Sequence, residues 1–363
     1  MKKRIFSLAV IGALAVGMLA GCGSSDTESA ADSAAETETS EAAAEETTED
    51  AEESTDSGEL TEITFVLDWT PNTNHTGVYV ADALGYYEEA GIEISIAQPP
   101  DDGAEVLVAS GKAEFGVSFQ DTMSALMEGE EKSTPITAVA AIIQHNTSGI
   151  MSAADSGITS PKEMEGANYA TWEWNIEQAI IQNIMEEDGG DYSLLNLIPE
   201  TVDDEVAALK SGSIDCIWVY YAWAGIAAEV ADYDTNYFAF IDINEVFDYY
   251  TPVIIANDDF LAENPDTAKA FIEATAKGYE YAIENPDEAA AILLEAVPEL
   301  EEDQVVASQE YLADQYQADA EQWGVFDADR WNAFYEWINE NELYDDAEIP
   351  DDVGFTNDYL PAE

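Results

Sequence analysis

The sequence predicts an α/β protein of two similar lobes facing one another across a cleft, and three observations carry that expectation. A β-branched apolar run at 63–67, a polar loop at 68–75 and an apolar helical run at 76–81 make a strand, a loop and a helix start. The same unit returns at 169–171, 172–175 and 176–185, again with aromatic and polar residues in its loop. Between the units strands and helices alternate as in a mostly parallel sheet, and an extended run at 247–256 passes back toward the first lobe. Residues 60–363 are long enough for two such lobes. In open α/β sheets, ligands bind beyond the carboxyl ends of the strands, so the loops 68–75 and 172–175 mark the expected cleft.

The chain begins with a leader. Lys2, Lys3 and Arg4 precede an apolar run over 5–19, and Leu19-Ala20-Gly21-Cys22 resembles a bacterial lipobox. The run is shorter than the ~20 residues a helix needs to span a bilayer. Residues 1–22 are therefore expected to be a lipoprotein signal peptide, with Cys22 lipidated and the protein anchored on the extracytoplasmic face of the cell membrane. Residues 23–59 hold fourteen acids and no base, the composition of a disordered acidic tether. Cys216, the other cysteine, has no partner within the folded part and sits in an apolar run, so it reads as core.

The folded part divides into 60–152 as the first part of lobe 1, 153–248 as lobe 2, and 249–363 as a return to lobe 1 with C-terminal helices. Gly91 closes the first helical region, 92–96 alternates as a strand, 104–109 is a short helix stopped by Gly111, and 113–119 is a strand ending at Gln120. The apolar run 136–143 suits a strand buried on both faces, and 150–152 continues a sheet. Ser160-Pro161 opens a helix with serine as cap, 214–220 is a strand, and 222–226 turns into another helix. Asn264-Pro265-Asp266 and Asn285-Pro286-Asp287 are cap-proline-acid helix starts. Trp331, Phe334, Tyr335 and Ile338 fall at helical spacing and read as a packing stripe. Hinges are expected at 247–252 and near 151–155.

Charge narrows the function. Residues 60–363 carry 64 acids against seven bases, Lys112, Lys132, Lys162, Lys210, Lys269, Lys277 and Arg330, which excludes nucleic acid as a partner. None of those bases lies in a loop assigned to the cleft. A sulfonate or nitrate site usually uses Arg or Lys, so a neutral or weakly basic ligand fits better, although helix N-termini also bind anions.

The assembled stretches resemble solute-binding proteins of the family that includes thiamine-pyrimidine-precursor receptors and the eukaryotic pyrimidine synthases. The likeness rests on Leu67-Asp-Trp-Thr-Pro-Asn-Thr-Asn-His-Thr-Gly77, Gly85-Tyr86-Tyr87, Ser110-Gly-Lys-Ala-Glu-Phe-Gly-Val117, Ile142-Ile-Gln-His-Asn-Thr-Ser-Gly149 and Tyr249-Tyr-Thr-Pro-Val253. It implies the type II bilobal periplasmic-binding-protein fold and service to an ABC permease and ATPase. In the family's biosynthetic branch a lysine holds pyridoxal phosphate and a cysteine cluster holds iron. Here the corresponding stretches read Val117-Ser-Phe-Gln-Asp121 and Asp248-Tyr-Tyr-Thr-Pro252, with neither. The resemblance therefore implies a receptor with no cofactor and no catalytic role.

The expected ligand is a flat heteroaromatic ring such as an aminopyrimidine, held between aromatic faces and read along its edge by acids and amides. Trp69 from the first lobe and Trp172, Tyr221 or Trp223 from the second are candidate faces. Asp68 and Glu177 are candidate acceptors, Glu177 being equally readable as a first-turn acid that stabilises its helix. Asn72, His75 and Gln120 are candidate donors and acceptors, with His75 alternatively holding its own loop. His145 is expected to organise its own turn, and two histidines far apart make no metal site. The competing readings are a sulfonate- or nitrate-type receptor of the same fold, a pyrimidine synthase-like enzyme, and an adhesive or structural lipoprotein.

Overall fold

The computed structural model describes residues 60–100, 102–127, 134–202, 204–344 and 348–362. The expected signal peptide, lipid attachment at Cys22 and tether 23–59 lie outside the described residues. Among those described, no helix is long and apolar enough to cross a membrane.

Two five-stranded sheets repeat one plan. The strands are β1 (Thr61–Val66), β2 (Ile92–Ala97), β3 (Phe115–Ser118), β4 (Ile136–Ala141), β5 (Ser148–Ala153), β6 (Asn168–Thr171), β7 (Asn196–Pro199), β8 (Cys216–Tyr220), β9 (Thr235–Ala239) and β10 (Val253–Asn257). The first sheet runs β2-β1-β3-β10-β4 and the second β7-β6-β8-β5-β9. In each, three parallel strands are followed by an antiparallel one, β10 in the first and β5 in the second. Those two strands are the ones the chain enters from the opposite lobe. β3 and β10 are buried along their whole length, which explains why they are apolar up to their last residues, Ser118 and Asn257. The cysteine expected to be core, Cys216, is fully buried and unpaired in β8.

The boundary expected at 152 and the hinge expected near 151–155 need correction. β5 lies inside the second sheet, with Met151 paired to Ile217 on one side and Tyr237 on the other. A residue with ladder partners on both sides does not act as a hinge. The chain instead crosses at 142–147 and returns at 247–252. Apolar alternation marks a strand but not which sheet it joins, so the sequence could not separate β4 from β5 by lobe.

The two crossing segments are tied together. Asn146 donates its backbone N–H to Asp248 Oδ1 at 3.0 Å and its side-chain amide to the Phe247 carbonyl at 2.8 Å. Arg330 reaches them from the helix Ala328–Glu340, donating to Asp248 at 3.0 Å, to Gln144 Oε1 at 3.1 Å and to the Tyr250 hydroxyl. The apolar stripe of this helix, Trp331, Phe334, Tyr335 and Ile338, is buried. The helix expected at Ser160 is shorter than its sequence suggests. One 3₁₀ turn, Pro161–Met164, forms, and the Ser160 hydroxyl donates to Asp188 at 2.6 Å instead of capping it.

One helix crossing fixes the first cleft loop. The helix Thr76–Ala83 meets the long helix Pro265–Glu284 at a glycine pair, where a Cβ on Gly278 would stand 1.9 Å from the Gly77 carbonyl oxygen. Only glycine permits that approach. It brings Tyr279 close enough for its hydroxyl to donate to the Asn74 carbonyl at 2.7 Å, while Tyr316 donates to the Thr73 carbonyl at 2.6 Å.

Candidate functional site

The loops at the carboxyl ends of β1, β3, β6, β7 and β8 converge on one cleft of ≈ 440 Å³. That volume suits a single small molecule. From the first lobe, Asp68, Trp69, Phe119, Asp121 and Thr122 line it. Trp172, Trp174, Glu205, Tyr220 and Trp223 line it from the second. No lysine, arginine or histidine is among the lining residues, whereas three carboxylates are.

The loop after β1 is held rigid from within. The Asn72 backbone N–H donates to His75 Nδ1 at 3.1 Å, so that nitrogen is an acceptor and Nε2 bears the proton. Nε2 then donates to Asp68 Oδ1 at 2.7 Å. His75 is fully buried and does not reach the cleft. The expectation that it reads the ligand edge is therefore corrected, and its alternative role, holding the loop, is the one the geometry gives it. Asn72 borders the cleft, but its amide is committed to the loop, accepting from the Asn74 N–H at 2.8 Å and donating to the Thr70 carbonyl at 3.1 Å. With the backbone so fixed, Trp69 projects with 43% of its surface exposed, a large indole left bare at the cleft wall.

The loop after β3 differs from expectation by one residue. Gln120 is wholly buried, donating to the Trp331 carbonyl at 2.8 Å and accepting from the Tyr250 N–H at 2.9 Å, so it is a strut and not a ligand reader. Its successor Asp121 faces the cleft. One carboxyl oxygen accepts from the Thr122 N–H at 2.9 Å and the other from the Tyr249 hydroxyl at 3.2 Å. Burial outweighs these bonds and pushes the carboxyl up to about 6, with the Glu105 charge adding to the effect.

In the second lobe, the loop after β6 is built around Glu177. Its carboxylate accepts from the Tyr169 hydroxyl at 2.7 Å, the Thr171 hydroxyl at 2.9 Å, and the backbone N–H groups of Trp172 at 3.1 Å and Trp174 at 3.3 Å. The residue is 2% exposed; burial raises its pKa while these donors pull it down. Glu177 thus caps the helix Asn175–Glu187 and holds the two tryptophans, which corrects its expected role as a direct acceptor for the ligand. Glu173, between them, adopts φ +63°, and its N–H donates to the Thr171 hydroxyl at 2.9 Å. This local bend turns both indoles to the cleft side, their centroids 5.7 Å apart, with Trp174 56% exposed.

After β8 the chain makes a π-type turn over Tyr221–Gly225. Tyr221 points away from the cleft, bonded to Glu229 and packed on Tyr237 at 4.7 Å, which corrects its expected place as a cleft face. Tyr220 lines the cleft instead. Its ring stacks on Phe119 of the first lobe at 5.9 Å and 17°, closing the floor where the lobes meet. Tyr220 lies two residues beyond Trp218 on the same face of β8, and that alternation is the signal that would have picked it over Tyr221. Asp121, Phe119 and Trp174 were likewise not singled out in the sequence.

A larger groove, ≈ 780 Å³, lies between the segment 241–248 and the helix Ala328–Glu340. It stands away from the strand ends, and its one base, Arg330, is already paired with Asp248.

Two mixed α/β sheets that face their carboxyl-terminal loops across a cleft, joined by two crossing segments, define a type II bilobal periplasmic-binding-protein fold. The NMT1/THI5-like family model matches residues 72–289, and the chain belongs to that family. It is 28% identical over 314 residues to a formylaminopyrimidine-binding protein of Halalkalibacterium halodurans, covering 83% of this chain and 91% of that one. A 4-amino-5-hydroxymethyl-2-methylpyrimidine phosphate synthase of Saccharomyces cerevisiae is 24% identical over 254 residues, covering 67% and 73% respectively. Among solved structures, the alkanesulfonate-binding protein of Xanthomonas axonopodis pv. citri bound to MOPS superposes with a TM-score of 0.63 at 10% identity, over 82% of this chain and 99% of that one. That likeness shows the shared fold.

Proposed function

We propose that this protein is the solute-binding receptor of an ABC importer, lipid-anchored at the extracytoplasmic face through Cys22, and that its ligand is an aminopyrimidine of the kind that supplies the pyrimidine half of thiamine. One observation carries the choice of ligand: indoles from both lobes, Trp69 on one side and Trp172, Trp174 and Trp223 on the other, flank carboxylates Asp68 and Asp121 in a cleft whose lining contains no base. A flat ring stacks on indole faces, and its amino group or protonated nitrogen is matched by carboxylates through charge-assisted bonds. A sulfonate would meet Asp68, Asp121 and Glu205 with no cation to offset them. The named function of the Halalkalibacterium relative agrees with this reading. Binding without catalysis follows from the absence of the lysine and cysteines expected of the synthase branch. The test is calorimetric titration of the full chain with 4-amino-2-methylpyrimidines and, separately, with an alkanesulfonate. Tight saturable binding of the pyrimidines alone is expected; saturable binding of the sulfonate alone would overturn the assignment.

A further inference from the structure

The π-type turn Tyr221–Gly225 belongs to the second lobe by chain order and to both lobes by packing. Ala224 is buried in the second lobe's apolar cluster with Val219 and Ala228, whereas Ala222 is buried in the first lobe's, with Leu67, Val78 and Leu312. Trp223, which the turn supplies to the cleft wall, also packs against the cluster of Leu293, Val297 and Val305 in the C-terminal helical region. One buried hydroxyl ties these pieces together. Ser308, on the helix Glu302–Ala313, is fully buried and donates its Oγ–H to the Ala222 carbonyl. A hydroxyl has one proton to give, so in the 2.6 Å pair of Ser308 Oγ with Thr73 Oγ1 it is Thr73 that donates. A directed relay thus runs from the loop after β1, through the C-terminal helix, to the turn after β8. Gln304 and Tyr311 lie on the same helix face as Ser308. The Gln304 amide donates to the Trp223 carbonyl at 3.3 Å, and the Tyr311 ring meets Tyr221 at 5.5 Å.

We propose that Ser308 is a positioning residue for the ligand: by pinning the turn to the helix Glu302–Ala313, its hydroxyl holds Trp223 at the cleft wall. The two ends of the relay are unequally secured. Thr73 and its loop have fasteners of their own, His75 within the loop and the hydroxyls of Tyr279 and Tyr316 from outside it. Loss of the Ser308 hydroxyl therefore falls mainly on the turn, where a buried carbonyl loses its side-chain donor. The indoles of the cleft then divide by what sets them and not by chain order. Trp69 and Trp223 are set by the first lobe and its C-terminal helices, Trp172 and Trp174 by Glu177 in the second. This inference rests on the reading of the cleft as a site for a flat ring.

Two measurements on the full chain test it: titration with 4-amino-2,5-dimethylpyrimidine, and hydrogen exchange of the ligand-free protein. Ser308→Ala should weaken pyrimidine binding about fivefold, part of the worth of one stacking face. In a Trp223→Ala background the same change should cost less than about twofold, whereas in a Trp69→Ala background it should keep its full effect. A merely structural role would weaken binding by one factor in both backgrounds. Gln304→Ala is the milder second variant, because Gln304 is only partly buried. It should weaken binding about twofold to threefold, with the same dependence on Trp223. In the exchange experiment the amides of 221–226 should exchange about tenfold faster in Ser308→Ala than in the wild type, with those of β6 unchanged. Equal losses in the two tryptophan backgrounds, affinity unchanged by both variants, or unchanged exchange over 221–226 overturns the positioning role while leaving the ring site standing. Failure of the wild type to bind the pyrimidine overturns the ring reading and Ser308's part in binding with it, and the exchange rates still decide whether Ser308 pins the turn.

Discussion

The loops after β1 and β6 are the same device in the two lobes, and their acids work in opposite directions. In the first lobe, a buried imidazole and the backbone of 72–75 hold the loop, leaving Asp68 at the cleft wall with one oxygen engaged by His75. In the second, the acid itself is the buried fastener. Glu177 gathers two hydroxyls and two backbone N–H groups, and what reaches the cleft is the indole pair it holds. A carboxylate near a helix start thus faces the cleft where another group fixes the loop, and is a structural clasp where nothing else does.

Removing the clasp should have the largest effect. Glu177→Ala strands four donors that are deep enough to be reached poorly by water, and a loss of about 3–4 kcal/mol is expected. Urea denaturation would measure it, and a loss under about 1 kcal/mol would mean that the two loops are fastened alike. The indoles should show the reverse. Trp69→Ala and Trp172→Ala are expected to weaken aminopyrimidine binding about tenfold to a hundredfold, the range for one stacking face. Because Trp69 is already 43% exposed, its replacement should change stability by less than about 0.5 kcal/mol. Calorimetry and denaturation on the same variants test both halves.

Asp121 sharpens the contrast further, because it is a cleft acid that burial disfavours. Its carboxyl stands at about 6 against an ordinary 3.8. A raised acid contributes most to the fold below its unfolded pKa, and that contribution is lost as pH rises through about 6. At pH 7.5 the wild type therefore carries the whole penalty. Asp121→Asn should be more stable there by about 1–2 kcal/mol while binding the amino ring about tenfold more weakly, and the stability gain should vanish by pH 4. A variant that is no more stable at pH 7.5 would show that Asp121 is paid no such penalty by its site.

The strand-loop-helix pattern was enough to bring Asp68, Trp69, Trp172 and Trp223 together on paper, because position beyond a strand's carboxyl end is a property of the chain's order. Side-chain direction at the first residue of a turn is not. Gln120 and Tyr221 each stand one residue from a cleft residue, and the direction was set by contacts from elsewhere: Trp331 and Tyr250 for the first, the π-type turn and Glu229 for the second. The crossing at 142–147 was hidden for a similar reason. β4 and β5 are both apolar runs, and only their pairing, β4 with β10 and β5 with β8 and β9, assigns them to different lobes. Arg330 was visible as a lone arginine, but its destination between the crossing segments depends on how the C-terminal helix docks.

The two histidines extend the comparison from the loops to the hinge, with the smallest expected effect. His75 accepts at Nδ1 and donates at Nε2, both bonds within its own loop. His145 has a carboxylate at each nitrogen, Asp248 at 2.7 Å from Nδ1 and Asp319 at 2.9 Å from Nε2, and can donate to both only as the imidazolium. The Asp248 bond raises its pKa above the ordinary 6.5, against opposing contributions from burial and from Arg330, whose Nη1 lies 2.9 Å from Nδ1. A raised histidine contributes its stability below the unfolded pKa and loses it as pH rises through the folded one. The ring is a third exposed and Asp319 is open to solvent, so screening limits the contribution to about 0.5–1 kcal/mol. Wild-type stability should therefore fall between pH 6 and 8 by that much more than in His145→Gln. Urea midpoints taken at half-unit pH steps decide it: parallel curves for wild type and His145→Gln would mean that the Asp248 and Asp319 contacts do not hold the hinge histidine charged.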